Sequence, residues 1–142
     1  MRTVRQILDG KNPELAWVAP EAPVLQAIRC MAERHVGAVL VMAGGRLVGI
    51  ASERDYARKV VLQGRSSHDT PVTEIMTAPV RTVGPDATVA HCMHLMTEGR
   101  FRHLPVLEGD TVVGIVSIGD LVKSVIEDQQ LQIDALQRYI AG

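Results

Sequence analysis

The sequence contains one pattern twice at a constant spacing, and this duplication strongly limits the folds open to the chain. Residues 49–55 (GIASERD) recur as residues 114–120 (GIVSIGD), an offset of 65 residues (114 minus 49). The same offset pairs Val18 with Val83 and Val60 with Val125, with no gap in between. A repeat kept in register over this length predicts two copies of one structural unit. Such copies would be related by a pseudo-twofold axis, with clefts between them.

Hydrophobic spacing within each copy predicts a helix, two strands and a second helix. The first helix follows the proline-containing segments 20–23 and 85–88. The strands are predicted at 37–42 and 47–51 in one copy and at 104–107 and 112–116 in the other, joined by glycine-containing turns. A short strand (17–18 or 80–83) precedes each copy, and a small helix (4–8 or 72–76) lies further upstream. The predicted fold class is mixed α/β (α+β), built from two β-α-β-β-α units.

The predicted organisation has four segments. They are a first repeat (1–62), a polar linker (63–71), a second repeat (72–125) and a C-terminal helical tail (126–142). The first repeat has three extra residues around 10–13. In the tail, Ile126, Ile133 and Ile140 are seven residues apart, which suits either a partner helix or docking on the module itself.

Composition excludes several classes of function. The net charge is −1 and only one Trp, two Tyr and one Phe are present, so nothing favours nucleic acid or a membrane surface as a partner. No apolar run has the ~20 residues that a membrane span requires. Cys30 and Cys92 stand at inequivalent repeat positions within apolar helical patterns, which predicts buried free thiols in a cytoplasmic protein.

Four short strings, each present in the order expected of a known family, identify a resemblance. They are TEIMT (73–77), TVGPDATV (82–89), RHLPV (102–106) and LVGI (47–50). Together with the duplicated Gly-hydrophobic-x-Ser-x-x-Asp motif, they resemble a tandem pair of cystathionine-β-synthase (CBS) domains, or Bateman module. The resemblance extends from Val4 to about Lys123. More narrowly, the sequence resembles bacterial proteins that consist of two such domains with no enzyme or transporter attached.

The resemblance implies two clefts that take adenosine-containing ligands: AMP, ADP, ATP, NAD or S-adenosylmethionine. Asp55 and Asp120 would accept hydrogen bonds from ribose hydroxyls. Ser52 and Ser117, each at a helix start, would meet a phosphate. The glycines at 49 and 114 would let the backbone approach the ligand. The backbone of residues 18–19 or 82–83 would contact the adenine edge.

The two implied clefts differ in charge. One combines Asp55 with Arg54, Arg58, Arg102 and His103 and would suit more phosphate; the other combines Asp120 with Gly37 and Ala38 and would suit a less charged ligand. The full set of expected ligand-binding residues is Val18, Ala19, Gly37, Ala38, Val39, Ile50, Ser52, Arg54, Asp55, Arg58, Thr82, Val83, Arg102, His103, Leu104, Pro105, Ile115, Ser117 and Asp120.

A structural alternative exists for the repeated motif, because Ser-x-x-Asp at a helix start also resembles a capping box that needs no ligand. His91 and His94 have a spacing that can share a metal, but no third ligand is nearby. No nucleophile elbow or phosphate-binding loop is present. We therefore expect a regulatory nucleotide sensor that is no enzyme and holds no metal. It would form a homodimer and act on an unknown effector protein; the alternative is an interaction scaffold without nucleotide.

Overall fold

A computed structural model of the chain describes residues 2–141 as two similar α+β units. The first half contains α1 (Val4–Asp9), β1 (Trp17–Val18), α2 (Val24–Arg34), β2 (Ala38–Ala43), β3 (Arg46–Ser52) and α3 (Glu53–Tyr56), which continues into a π-helical turn (Ala57–Val61). The second half contains a 3-10 turn (Val72–Glu74), α4 (Val89–Gly99), β4 (His103–Glu108), β5 (Thr111–Ser117) and α5 (Ile118–Ala141). The predicted fold class is confirmed.

Each unit is built around one antiparallel hairpin. Strands β2 and β3 pair from Ala38 with Ser52 to Ala43 with Arg46, and β4 and β5 repeat this register from His103 with Ser117 to Glu108 with Thr111. Glycines with positive φ make both turns, because a left-handed backbone disfavours other residues there. In the first unit, β1 adds a parallel strand beside β2.

The prediction of a strand at 80–83 is wrong. Only one isolated bridge, between Val83 and Val106, forms there. Prolines at positions 79 and 85 flank the segment, and proline has no N–H group to donate to a strand ladder. The helix predicted at 72–76 is also reduced, to the 3-10 turn Val72–Glu74.

The two units exchange their leading segments. Val4, from α1, is buried in the core of the second unit, while Val72 and Ile75 are buried in the core of the first. Backbone hydrogen bonds fix the exchange: the Val4 N–H donates to the Ala87 carbonyl (2.9 Å) and the Val72 N–H to the Ala22 carbonyl (2.8 Å). The chain therefore crosses twice between the units, and each core is completed by residues from the other half.

Helix α5 is a single continuous element, so the tail predicted to begin at residue 126 extends the last helix of the second unit. Leu121 and Ser124 are its buried residues; beyond them it leaves the body with its apolar side chains exposed. No helix within residues 2–141 is long and apolar enough to cross a membrane. Cys92 is buried as predicted, whereas Cys30 is only partly buried.

Candidate functional site

A cleft of about 500 Å³ lies between the units where β3 meets α3. We call it the first cleft. Four segments form its walls: the end of β3 with α3, the π-helical turn, the connector 77–81 and the α4–β4 turn. The lining residues are Gly37, Ile50, Ser52, Glu53, Arg54, Asp55, Arg58, Lys59, Thr77, Pro79, Val80, Arg81, Gly99, Arg100, Phe101, Arg102 and His103.

Ser52 and Asp55 form a reciprocal capping box at the start of α3. The Asp55 N–H donates to Ser52 Oγ (3.2 Å), and Asp55 Oδ2 accepts from both the N–H and the hydroxyl of Ser52 (3.0 Å each). Lys59 Nζ lies 3.2 Å from the other carboxylate oxygen, Oδ1, and also donates to the Ile75 carbonyl (2.9 Å). The capping role is therefore real, and it fixes the Asp55 carboxylate at the wall of an open cleft.

Cationic side chains dominate the first cleft. Six arginine or lysine residues line it against two carboxylates, those of Glu53 and Asp55. No acidic group within residues 2–141 lies within 4 Å of Arg58, Arg81 or Arg102. This arrangement leaves uncompensated positive charge facing the cleft, which favours an anionic ligand.

His103 lies at the boundary between the units. A Cβ on Gly37 would be 3.4 Å from His103 Nε2, so the glycine gives the imidazole room. Burial lowers the pKa of His103, nearby Lys11 and Arg102 lower it further, and Asp120 opposes them. The imidazole is thus held toward its neutral form, as a hydrogen-bonding group rather than a fixed charge.

A second cleft of about 420 Å³ occupies the pseudo-symmetric position. Its lining residues are Arg5, Leu8, Asp9, Lys11, Asn12, Pro13, Glu14, Leu15, Ala16, Arg34, Val36, Ala38, Pro85, Glu108, Val113, Gly114 and Ile115. Three cations face three carboxylates here, so its charge is balanced. Ser117 and Asp120, the counterparts of Ser52 and Asp55, are not among these residues.

Lys11 holds the Asp120 carboxylate. Its Nζ lies 2.7 Å from Asp120 Oδ2 and donates to the Ile115 carbonyl (2.9 Å). The same Oδ2 accepts the Ser117 N–H (2.8 Å), and the Asp120 N–H donates to Ser117 Oγ (3.1 Å). Burial alone would raise the pKa of Asp120, but the hydrogen bonds from Lys11 and Ser117 outweigh it and lower the pKa.

The structure brings together most of the charged residues expected at the first site. Ile50, Ser52, Arg54, Asp55, Arg58, Arg102 and His103 line the first cleft. Gly37, expected beside Asp120 in the other cleft, lines the first cleft as well. Ala38 and Ile115 line the second cleft. The other expected residues line neither cavity: Val18, Ala19, Val39, Thr82, Val83, Leu104, Pro105, Ser117 and Asp120. In place of the segments 18–19 and 82–83, the cavities are lined by residues slightly earlier in the chain, Leu15 and Ala16 or Val80 and Arg81.

The structure gives Gly49 and Gly114 a role in packing between the two halves of the chain. A Cβ on Gly49 would collide with the Met76 side chain, and one on Gly114 would lie 2.6 Å from Leu8 Cδ2. Each glycine therefore makes room for the leading segment of the other half of the chain. Packing between the units explains these two positions without a ligand.

Sequence reasoning missed several lining residues of the first cleft: Glu53, Thr77, Pro79, Val80, Arg81, Gly99, Arg100 and Phe101. Sequence reasoning also missed the contact of Lys11, which lies inside the three-residue insertion. Its partner Asp120 is more than a hundred residues away, so nothing near Lys11 in the sequence indicates the contact. In the histidine pair 91/94, His94 Nε2 lies 3.2 Å from Glu98 Oε1. Residues 2–141 contain no cluster of three potential metal ligands.

Comparison with known proteins is consistent with this architecture. The profile of the CBS domain matches residues 4–62 and 72–127. CBS domain-containing protein CBSX3 of Arabidopsis thaliana is 40% identical over 140 residues, covering 94% of this chain and 68% of that protein. A protein with CBS domains from Burkholderia ambifaria MC40-6 is 55% identical with a TM-score of 0.87, covering 90% of this chain and 96% of that one.

A more distant structure contains a ligand. The CBS domain protein PAE2072 from Pyrobaculum aerophilum, complexed with AMP, is 25% identical with a TM-score of 0.74, covering 84% of this chain and 89% of that one. The matched residues span both repeats, and the neighbouring folds cover most of the described chain. The duplicated units, their exchanged leading segments and these matches lead to one assignment: the chain belongs to the CBS-domain family.

Proposed function

We propose that the protein is a regulatory module that binds an adenine nucleotide in the first cleft. The observation that carries this proposal is the placement of Asp55 in a cleft lined by six cationic side chains. A carboxylate can accept hydrogen bonds from two ribose hydroxyls, while the arginines neutralise phosphate. The cleft volume of about 500 Å³ lies within the ~300–1,000 Å³ common for small-molecule sites.

Charge favours ligands with more phosphate. The first cleft has an excess of four positive charges over its two carboxylates, without counting His103. ATP and ADP match that excess better than AMP or NAD, because each added phosphate contributes further negative charge. AMP bound to the relative from P. aerophilum supports an adenine nucleotide as the ligand class.

The output of the module is a change in shape or in affinity for an effector protein. A nucleotide between the units contacts both, so it favours the arrangement in which those contacts are best.

We further propose a homodimer. Val61 and Ile126 occupy equivalent positions in the two repeats and are 57% and 59% exposed. A pair of equivalent apolar residues on the surface suits a symmetric interface.

The test is titration calorimetry of nucleotide-free protein with AMP, ADP, ATP, NAD and S-adenosylmethionine in turn. We expect saturable binding, tightest for ATP, that weakens roughly ten- to hundredfold in Asp55→Asn, since a charge-assisted hydrogen bond contributes about 1.5–3 kcal/mol. Asparagine keeps an oxygen to accept the Ser52 N–H, so the helix cap is retained. Asp110→Asn, in the exposed β4–β5 turn, is the matched control.

Absence of heat and of any thermal shift with all five ligands would contradict the proposal. The repeated motif would then act only as a helix cap, and the protein would be an interaction scaffold. Equal binding by the wild type and Asp55→Asn would place the nucleotide elsewhere in the molecule.

A further inference from the structure

Lys11 stands where a ligand would have to meet Asp120. The first cavity reaches Ser52 and Asp55, whereas the second cavity reaches neither Ser117 nor Asp120 and is lined by Lys11 instead. Lys11 Nζ contacts Asp120 Oδ2 at 2.7 Å, and both side chains are partly buried. To accept ribose hydroxyls on both carboxylate oxygens, Asp120 would have to release the ammonium group from Oδ2.

The ammonium group of Lys11 also replaces a backbone contact found in the first unit. There, the Thr77 N–H donates to the Ile50 carbonyl at 2.8 Å. In the second unit the equivalent carbonyl, that of Ile115, accepts from Lys11 Nζ at 2.9 Å. The three-residue insertion that contains Lys11 separates α1 from β1 and removes the matching backbone bridge. Lys11 satisfies a carbonyl that would otherwise lack its donor.

Within the described residues, the helix after the second motif provides no cation within 4 Å of Asp120. In the first unit, Lys59 contacts Asp55 Oδ1 from the same helical segment at 3.2 Å, and the first cleft still reaches the Asp55 carboxylate. The equivalent position in the second unit is Ser124, which is 3% exposed and whose hydroxyl has no hydrogen-bond partner in residues 2–141. The counter-charge of Asp120 therefore comes from Lys11, on a loop that belongs to the wall of the cleft.

The loop that carries Lys11 is anchored on both sides. The Lys11 N–H donates to the Leu8 carbonyl at the end of α1 (3.1 Å). Further along, Arg34 Nη2 donates to the Glu14 carbonyl (2.8 Å), and the Leu40 N–H donates to the Ala16 carbonyl (2.9 Å). Because these contacts fix the backbone, the side chain is preorganised in the cleft and little entropy is lost in keeping it there.

We propose that Lys11 is a built-in occupant of the second cleft, which keeps Asp120 from a ribose and restricts nucleotide binding to the first cleft. This inference rests on the proposed function and specifies its stoichiometry. The module is thereby a one-site sensor despite its two repeats. Lys11 is the residue that determines the difference between the clefts.

The experiment measures the number of ATP sites per chain by titration calorimetry, repeated with AMP. We expect one site in the wild type and two in Lys11→Met, which keeps the chain length but not the charge. Lys11→Gln is the second variant, because its amide can still donate to the Ile115 carbonyl if Lys11→Met is poorly folded. Circular dichroism and thermal unfolding establish the folded state of each protein. Arg46→Met, at the exposed start of β3, removes one positive charge elsewhere and should retain one site.

Second substitutions assign the sites. Adding Asp120→Asn to Lys11→Met should remove the gained site, whereas adding Asp55→Asn should remove the original one. Two sites in the wild type, or one site in both folded lysine variants, would overturn the inference and leave the proposed function standing. No site in the wild type but one in the variants would reject binding at the first cleft and overturn the one-site inference, although it would still show that Lys11 keeps nucleotide from Asp120. No binding in any protein would reject both.

Discussion

Glycines at equivalent positions of β3 and β5 show how single residues hold the two halves together. Gly114 lies under Leu8 of α1, and Gly49 lies under Met76 of the connector. In both cases a side chain from the other half of the chain occupies the space where a Cβ would be. The absence of a side chain is thus a packing requirement between the exchanged segments.

Substitution of Gly114 by Ala should therefore destabilise the protein by about 1–3 kcal/mol, the usual range for overpacking. The new Cβ would lie 2.6 Å from Leu8 Cδ2, so the partly buried Leu8 side chain, or α1 and β5 themselves, must shift. Urea unfolding measures the change, and Gly84→Ala is the control because its new Cβ would find only the Leu107 carbonyl at 3.9 Å. Adding Leu8→Ala should recover part of the loss relative to the sum of the single changes. Fully additive losses would show that the two residues do not clash.

His103 should make stability fall as the solution becomes acidic. Its pKa is lowered in the folded protein by burial first, and then by Lys11 and Arg102 against the opposing effect of Asp120. Below the ordinary value of 6.5 the unfolded chain binds more protons than the folded chain, so the free energy of unfolding decreases as the pH falls through that value.

The measurement compares urea unfolding at pH 7.5 and pH 5.5, about one pH unit on either side of an ordinary histidine pKa. His103→Gln should lose less stability than the wild type between these two conditions. His68→Gln, in the exposed linker, controls for the general loss of an imidazole. An identical pH dependence in wild type and His103→Gln would show that His103 does not contribute to it.

At the scale of elements, both copies of the Ser-x-x-Asp motif cap a helix. The first copy also forms part of the wall of a cleft. The two helix starts share the same reciprocal hydrogen bonds, so the motif alone cannot separate the two roles. They differ in what lies beyond the carboxylate: an open cationic cleft at Asp55 and the ammonium group of Lys11 at Asp120.

Alanine substitutions of the two cap serines should separate these roles. Ser52→Ala and Ser117→Ala should each reduce the free energy of unfolding by about 1 kcal/mol, the typical loss for a helix N-cap. Only Ser52→Ala should also weaken nucleotide binding, because Ser117 does not line a cavity. Chemical denaturation and ATP titration of both variants provide the comparison. Equal weakening by both would indicate that ligand binding follows stability rather than position.

Elements with local signals were predictable, and elements that depend on distant contacts were not. Both hairpins lie within one residue of their predicted bounds, because β-branched runs and glycine turns specify them locally. The strand expected at 80–83 is reduced to the single bridge between Val83 and Val106, in a segment flanked by prolines that cannot donate to a strand ladder. The contact of Lys11 with Asp120 depends on the exchange of leading segments, which no periodicity along the chain reveals.

At the scale of the whole molecule, the exchange explains how two small cores behave as one body. Val4 of α1 completes the second core, and Val72 and Ile75 complete the first. Neither unit could expose its leading segment without also opening the core of the other. The proposed nucleotide, if it changes the angle between the units, would therefore act on the entire chain and on any surface that spans both.

The surface most suited to a second copy of the chain spans both units and continues along α5. Val61 and Ile126 stand at equivalent repeat positions, and Ile133, Leu136 and Ile140 extend the apolar stripe, all of them more than 45% exposed. Val61→Glu and Ile126→Glu should convert the proposed dimer to monomer, because a buried unpaired carboxylate strongly opposes association. Light scattering during size-exclusion chromatography measures the mass. Tyr139→Glu, exposed but off the stripe, is the control.

If Ile140→Glu alone yields monomer while Val61→Glu remains dimeric, the tail rather than the module helices forms the interface. A wild-type mass equal to one chain would reject the dimer altogether.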